Sequence, residues 1–304
     1  MRLIFRAGLA GLTGLLLAAC SPSGILNATV PSEGVRVTRG VAYGDGPRRM
    51  LDIYQPPDAP GPAAVDRAAV DRAAGGRVPL VVFLYGGSWR TGDKGMYPFV
   101  AQPLAARGAV VVVPDYRLYP EVQFPEFLQD NARAVAWAAS NAARLGADPG
   151  RIFVLGHSAG AYNAAMLAVD GRLLAAAGYD RARLAGVIGL AGPYDFLPIT
   201  GEDIKPVFAT VDDGPLSQPV TYVDGRNPPL LLLAGTDDTT VNPRNTLSLA
   251  ARVNAAGGAA EADLVPGVGH IGIVTAFAPL FRHRAAVLDR VWMFVQRHGA
   301  VAGP

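Results

Sequence analysis

The amino-acid sequence predicts an α/β fold, with a mostly parallel eight-stranded sheet flanked by helices. Three observations carry that expectation. Apolar runs of strand length alternate with helix-length segments along the 304 residues, the pattern left by strand–helix–strand units with right-handed crossovers. The central runs, LVVFL at 80–84, VVVV at 110–113, IFVL at 152–155 and LLLLA at 230–234, are apolar throughout, as strands covered on both faces must be. Half of the residues are apolar and only 17% charged, below the roughly 25% of ordinary soluble domains, which suits a large buried interior.

Taken in order, the first strands are expected at 35–43 and 50–54. Residues 55–79 are rich in proline, alanine and glycine and carry a duplicated VDRAA unit, so they read as a surface insertion between strands. A strand at 80–84, a helix near 95–107 and a strand at 110–114 follow. In the next helix, 126–145, Leu128, Ala132, Val135 and Ala139 recur at helical spacing and predict one buried stripe. The strand at 152–155 leads into a helix at 159–169. Further strands are expected at 186–190, 230–234 and 261–265, and helices at 243–256 and 283–298. The stretch 194–227, with Phe196, Phe208 and Tyr222, is expected to lie over the site as a cap that shapes its pocket. No repeat of domain size is present, so one domain spans 35–300.

Composition excludes several classes. Half apolar content is incompatible with intrinsic disorder, and the single cysteine cannot staple a disulfide scaffold. With a net charge of +2 and scattered basic residues, no nucleic-acid footprint is visible. That cysteine has its own context. Arg2 and Arg6 precede an uncharged apolar run at 9–19, too short for a membrane-spanning helix, which needs about 20 residues. The run ends LAAC at Cys20 and resembles the bacterial lipoprotein signal. The resemblance implies removal of 1–19, lipidation of Cys20, a flexible tether over 20–34 and a membrane-anchored protein of the bacterial cell envelope.

The most informative stretch is RIFVLGHSAGA at 151–161, an apolar strand, then G-x-S-x-G, then an alanine-rich helix. A serine on so tight a strand-to-helix turn is held exposed at a helix N-terminus, and glycines at 156 and 160 give the turn room. A serine hydroxyl needs a base, and the chain has four histidines. His157 lies inside the elbow and points away from the Ser158 hydroxyl, while His283 and His298 read as surface residues. His270 stands in a glycine-rich loop after the final strand, where α/β sheets place their chemistry. The orienting carboxylate, expected between the two in chain order, is sought in GTDDTTVNP at 235–243. Asp238 is favoured and Asp237 is its immediate rival. Two glycines follow the strand at 80–84, and amides of Gly87 and Ser88, with that of Ala159 after the serine, are the expected oxyanion donors. Trp89 either walls the substrate pocket or caps the core. The four histidines form no ligand cluster, so neither a metal nor a cofactor is implied.

From about 80 to 270 these pieces together resemble the α/β-hydrolase superfamily, especially its carboxylesterase, hormone-sensitive-lipase-like and arylformamidase-like branches. YGGSW at 85–89 is similar to their HGGxW loop, and DYRL at 115–118, GADPGR at 146–151, GHSAG and GTDD fit as well. Tyr85 replaces the usual histidine of that loop, a residue that supports the loop rather than performing chemistry. Arg117 and Asp115 read as structural. The resemblance implies a serine carboxylic-ester hydrolase acting on a small-molecule ester through Ser158, His270 and Asp238. A peptidase or acyltransferase on the same residues, and a silent binding lipoprotein that keeps the fold, stay open as alternatives.

Overall fold

The sheet forms where the apolar runs place it. The structure, a computed structural model, describes residues 22–31, 33–57, 78–212 and 214–298; Cys20 and most of the 55–79 insertion lie outside them. Its strands are β1 (Arg36–Ala42), β2 (Met50–Gln55), β3 (Val78–Leu84), β4 (Val110–Pro114), β5 (Ala147–His157), β6 (Leu184–Leu190), β7 (Leu230–Gly235) and β8 (Ala260–Val265). They form one sheet in the order β1-β2-β4-β3-β5-β6-β7-β8. β2 runs antiparallel to both β1 and β4, and every pairing from β4 through β8 is parallel. This is the architecture of the α/β-hydrolase fold.

Side-chain alternation along the strands divides the interior into two layers. On β3, Val81 and Phe83 enter one core layer, while Leu80, Val82 and Leu84 enter the other. The first layer is closed by α2 (Pro98–Ala106) and α8 (Val287–His298), through Phe99, Leu104, Val291 and Phe294. The second is closed by α3 (Glu126–Asn141), α4 (Ala159–Val169) and α6 (Arg244–Ala255). On α3 the buried stripe runs Leu128, Ala132, Val135, Ala138, with Ala139 only half-buried, because 3.6 residues per turn carries the stripe one position back. The expected helix at 126–145 is cut short at Asn141, and a 3-10 turn, Ala143–Leu145, brings the chain to Gly146 in the left-handed region at φ 81°.

Three helices are additions to the sequence-based reading. α5 (Gly171–Ala176) and α7 (His270–Thr275) are single short elements. The third corrects the expected tether: Pro22–Ala28 is a helix, α1, not a flexible linker. It docks because Leu26 and Val30 are buried in the first core layer, and because the Asn27 side chain accepts a hydrogen bond from the Phe99 amide at 3.0 Å.

The sheet's early strands are tied to α3 by one fully buried carboxylate. Asp130 is met by Arg117 at 2.7 Å, Arg49 at 3.1 Å and Arg133 at 3.3 Å. Arg117 reaches it with two guanidinium nitrogens, the strongest geometry for such a pair. Removing the carboxylate would leave these cations around an apolar gap. Asp130→Ala is therefore expected to lower stability by roughly 2–4 kcal/mol in urea unfolding, discounted because the arginines reach water; a loss below about 0.5 kcal/mol, the scale of ordinary surface changes, would remove Asp130 as a tie.

Candidate active site

β5 ends on Gly156 and His157, and the chain turns into α4 within one residue. Ser158 occupies that turn at φ 55°, ψ −123°, a backbone state that costs a non-glycine residue of order 1–3 kcal/mol. The surroundings enforce it. A Cβ on Gly156 would run into the Gly160 backbone, and one on Gly160 into the Leu84 carbonyl. The Ser158 amide donates to the Leu190 carbonyl at 2.9 Å, and its own carbonyl accepts from Ala161 and Tyr162. The hydroxyl is left half-buried at the amino end of α4.

Two loops meet opposite it. The one leaving β7 and the one leaving β8 are laced by backbone: the Thr236 amide donates to Val265, and the Asp237 amide donates to Val268 at 3.1 Å. Asp238 turns inward from the first loop and His270, the first residue of α7, from the second. His270 Nδ1 lies 2.8 Å from Asp238 Oδ2, and its Nε2 lies 2.9 Å from Ser158 Oγ. A carboxylate only accepts, so Nδ1 carries the proton and Nε2 faces the hydroxyl as an acceptor. The second oxygen of Asp238 accepts from the Thr240 and Val241 amides at 2.9 and 2.8 Å. Asp237 is exposed and accepts from the Thr236 hydroxyl instead, so the geometry joins Asp238 to His270 and leaves its rival at the surface.

The loop after β3 crosses directly over the serine. A Cβ on Gly86 would stand 2.8 Å from the Ser158 Cβ. Gly87, Ser88 and Trp89 all have positive φ, at 128°, 53° and 58°, and the Gly87 carbonyl accepts from the amides of Arg90 and Thr91. Ser88 and Ala159 line the cavity beside Ser158 and Gly87 does not; a Cβ on Gly87 would run into the Thr91 carbonyl. Trp89 fills both of the roles considered for it. The residue lies along the cavity, yet its side chain is buried among Tyr162, Phe127 and Phe208. Its indole N–H donates to Asn163 Oδ1 at 2.9 Å, a support from α4 that no local sequence signal announced.

Tyr85 supports the same loop from beneath. Its hydroxyl donates to Asp115 Oδ1 at 2.9 Å and accepts from Arg48 at 2.7 Å. Arg48 also donates to the Gly92 carbonyl, and the Tyr116 hydroxyl to the Tyr85 carbonyl. Burial raises the carboxyl of Asp115 above its ordinary range and raises the Tyr85 phenol as well, so the network holds with an un-ionised phenol at its centre.

His157 does point away from Ser158. It is buried, and its Nε2–H donates to the His270 carbonyl at 3.0 Å, which ties the elbow to the histidine loop. Burial, and then the neighbouring His270, lower its pKa to about 3. His283 lies on an exposed turn, Arg282–Arg284, and His298 lies near the end of α8 against Phe294. No group of three His, Cys, Asp or Glu side chains among the described residues could hold a metal ion.

Beside Ser158 opens a cavity of about 500 Å³. The expected cap supplies much of its wall through Phe196, Leu197, Ile199 and Ile204, and the loop after β7 supplies Val241 and Asn242. The cap is a chain of 3-10 turns rather than a helix.

Comparison with known proteins agrees with this architecture. Among curated relatives, the probable isoprenylcysteine alpha-carbonyl methylesterase ICMEL1 of Arabidopsis thaliana is 26% identical over 77% of this chain and 51% of its own length. Esterase LipC of Mycobacterium tuberculosis is 29% identical over 76% of this chain and 59% of its own length. The chain thus spans about half the length of the curated relatives it matches. Among solved structures, esterase B of Lactobacillus rhamnosis aligns with TM-score 0.74 at 19% identity, covering 96% of this chain and 95% of that one. A hyperthermophilic esterase from the archaeon Pyrobaculum calidifontis aligns with TM-score 0.69 at 25% identity, covering 91% of each. The BD-FAE family model matches residues 69–253; that stretch, more than half of the chain, holds the β3 loop, Ser158 and Asp238, and the protein belongs to the BD-FAE family.

Proposed function

We propose that this protein is a serine carboxylesterase working through an acyl-enzyme. The observation that carries the reading is the unbroken relay from Asp238 through His270 to Ser158, at 2.8 and 2.9 Å. Ser158 Oγ attacks the ester carbonyl carbon as His270 Nε2 takes its proton. Asp238, held by two amides, keeps Nδ1 protonated and stabilises the imidazolium. The carbonyl oxygen becomes an oxyanion beside Ser88 and Ala159, whose amides, with that of Gly87, are its donors. Collapse breaks the bond to the alcohol oxygen, which receives the proton from Nε2. Water then attacks the acyl carbon, giving its proton to the same nitrogen; collapse of this second intermediate breaks the bond to Ser158 Oγ, which takes the proton back from Nε2 as the acid leaves. Esterase names among the relatives support the chemistry; the wall of apolar side chains supports a small-molecule ester.

Cys20 belongs to the same reading. We infer that it carries a lipid anchor and that the enzyme works at an envelope membrane, supported by the 9–19 apolar run that ends in LAAC. Since α1 begins at Pro22 and docks on the domain, an anchor at Cys20 would hold the site close to the membrane surface. Several acyl chains there would give stable attachment where one would not.

Each part of this reading has an experiment. Ser158→Ala is expected to lower turnover of a p-nitrophenyl ester by on the order of 10⁶-fold and to abolish labelling by a fluorophosphonate. Asp238→Asn is expected to lower it about 10⁴-fold by setting the wrong tautomer on His270. Retained labelling and turnover in Ser158→Ala would sink the proposal. Cys20→Ala should move the protein from membrane to soluble fraction; a mutant that still sediments with membranes removes the anchor. A further experiment concerns acid. His157 stays neutral in the fold down to about pH 3, against 6.5 for the free group. Above pH 6.5 neither state binds the proton; as pH falls toward 3 only the unfolded chain gains it, so stability declines across that window. Urea midpoints should therefore fall more steeply between pH 6.5 and about 4 for wild type than for His157→Gln, and parallel curves would rule the histidine out as the cause.

A further inference from the structure

The cavity beside Ser158 is lined by one charged side chain, Arg244. Its wall otherwise consists of apolar groups and of uncharged polar ones such as Thr200, Thr240, Asn242 and Asn245. Arg244 opens α6, so its cation stands at the positive end of that helix's dipole, which disfavours it. No acidic residue occupies the first turn to offset it. Among the described residues no carboxylate lies within ion-pairing distance of Arg244. Its one side-chain hydrogen bond is a long one, from Nη2 to the Asp195 carbonyl at 3.4 Å. The Asp195 carboxylate is taken at 2.6 Å by the Ser248 hydroxyl, one turn further along α6. Helix stability therefore does not account for an arginine here, whereas an anion in the cavity would.

We infer that Arg244 is a specificity-determining residue that binds a carboxylate carried by the ester, on the acyl or the alcohol side, away from the scissile carbonyl. This rests on the serine-esterase reading above and narrows its substrate class to acidic esters. The guanidinium offers a planar fork that matches a carboxylate in two parallel hydrogen bonds. The apolar wall formed by Phe196, Ile199 and Val241 would hold the carbon chain between that fork and Ser158. Because the site is otherwise neutral, a substrate carboxylate there meets no competing negative group on the wall. An uncharged ester of the same shape would meet the same apolar wall without the fork.

The test compares matched esters. On the acyl side these are the p-nitrophenyl monoester of glutaric acid and p-nitrophenyl valerate; on the alcohol side, the butyrate esters of p-hydroxybenzoate and of its uncharged amide. Wild type should favour the acidic member of one pair, and which pair shows the preference assigns the side. Arg244→Gln should lower kcat/KM for that acidic ester roughly 10- to 100-fold, mainly through KM, and leave the neutral member within about twofold. Arg244→Lys should recover part of the loss. Arg252→Gln, the same charge change at the far end of α6, should leave the preference intact. Calorimetric titration of Ser158→Ala with the acidic ester, with and without Arg244→Gln, reads the subsite without turnover. Loss of binding only in the double variant supports it. Equal binding, or equal losses on acidic and neutral esters, overturns the subsite while leaving the Ser158 chemistry standing. Turnover that survives Ser158→Ala would instead count against the esterase reading.

Discussion

Between β3 and the elbow, two stretches of backbone approach so closely that no side chain fits between them. Gly160 lies against the Leu84 carbonyl, Gly156 against Gly160, and Gly86 against the Ser158 side chain. This contact fixes where the serine hydroxyl emerges, and it brings Ser88 and Ala159 to the wall of one cavity. Positive φ at Ser88, Trp89 and Ser158 is the conformational strain that accompanies it. Such strain persists only where surrounding structure over-determines the backbone. Here it is over-determined from both sides: the Ser158 amide is bonded into β6, and the loop is bonded into the body.

The supports of that loop explain why a tyrosine can stand at position 85. The Tyr85 hydroxyl joins Asp115 and Arg48, and Arg48 in turn holds the Gly92 carbonyl, so the loop is gripped where it leaves β3 and again where it rejoins the body. Its ring stacks between Tyr97 and Tyr116, packing no imidazole would match in area. Trp89 is held by Asn163 from the elbow helix itself. The helix that carries Ser158 at its amino end therefore also supports the loop opposite it.

What could be read from the sequence follows the range of the physics involved. The central strands were legible because burial on both faces makes them continuous apolar runs, whereas β1 and β8 are largely exposed or half-buried and carry charged residues; the observed bounds of the eight differ from the expected ones by few residues outside β5. Ser158 was legible because the glycine pattern around it is local and sterically demanded. His270 and Asp238 were legible by chain order and by their position after strands, but the choice between Asp237 and Asp238 was not settled by order. It turns on which carboxylate faces inward, and that depends on the lacing of two loops some thirty residues apart (the Thr236 and Asp237 amides on Val265 and Val268). The His157 bond to the His270 carbonyl, the Asn163 support and the docking of α1 were invisible for the same reason: each joins residues far apart in the chain, and none imposes a periodic pattern on its neighbours. The expected tether failed because Leu26 and Val30 are too few to show a stripe, although two buried side chains suffice to dock a seven-residue helix.

The cavity wall belongs to a different regime from the chemistry it faces. The cap contains only 3-10 turns, so most of its backbone polar groups cannot be satisfied by a repeating ladder and must find partners individually. They do so on side chains of the body, on backbone groups of the body and on one another. Asn245 accepts from both the Tyr194 and Asp195 amides, Gln218 accepts from the Phe196 amide, and Gln123 donates to the Pro206 carbonyl. The Phe124 amide donates to Val207, and the Thr210 hydroxyl to Phe124. Each bond is a separate, replaceable pin. Substituting a wall residue such as Ile199 or Ile204 leaves every pin in place, whereas substituting Asn245 frees two amides at once and moves the wall itself. Ser158, Asp238 and His270 stand just beyond the ends of β5, β7 and β8, so the pocket can be reshaped without disturbing them. That separation is what would let a substitution such as one at Arg244, on the opening turn of α6, change the cavity wall without touching Ser158, His270 or Asp238.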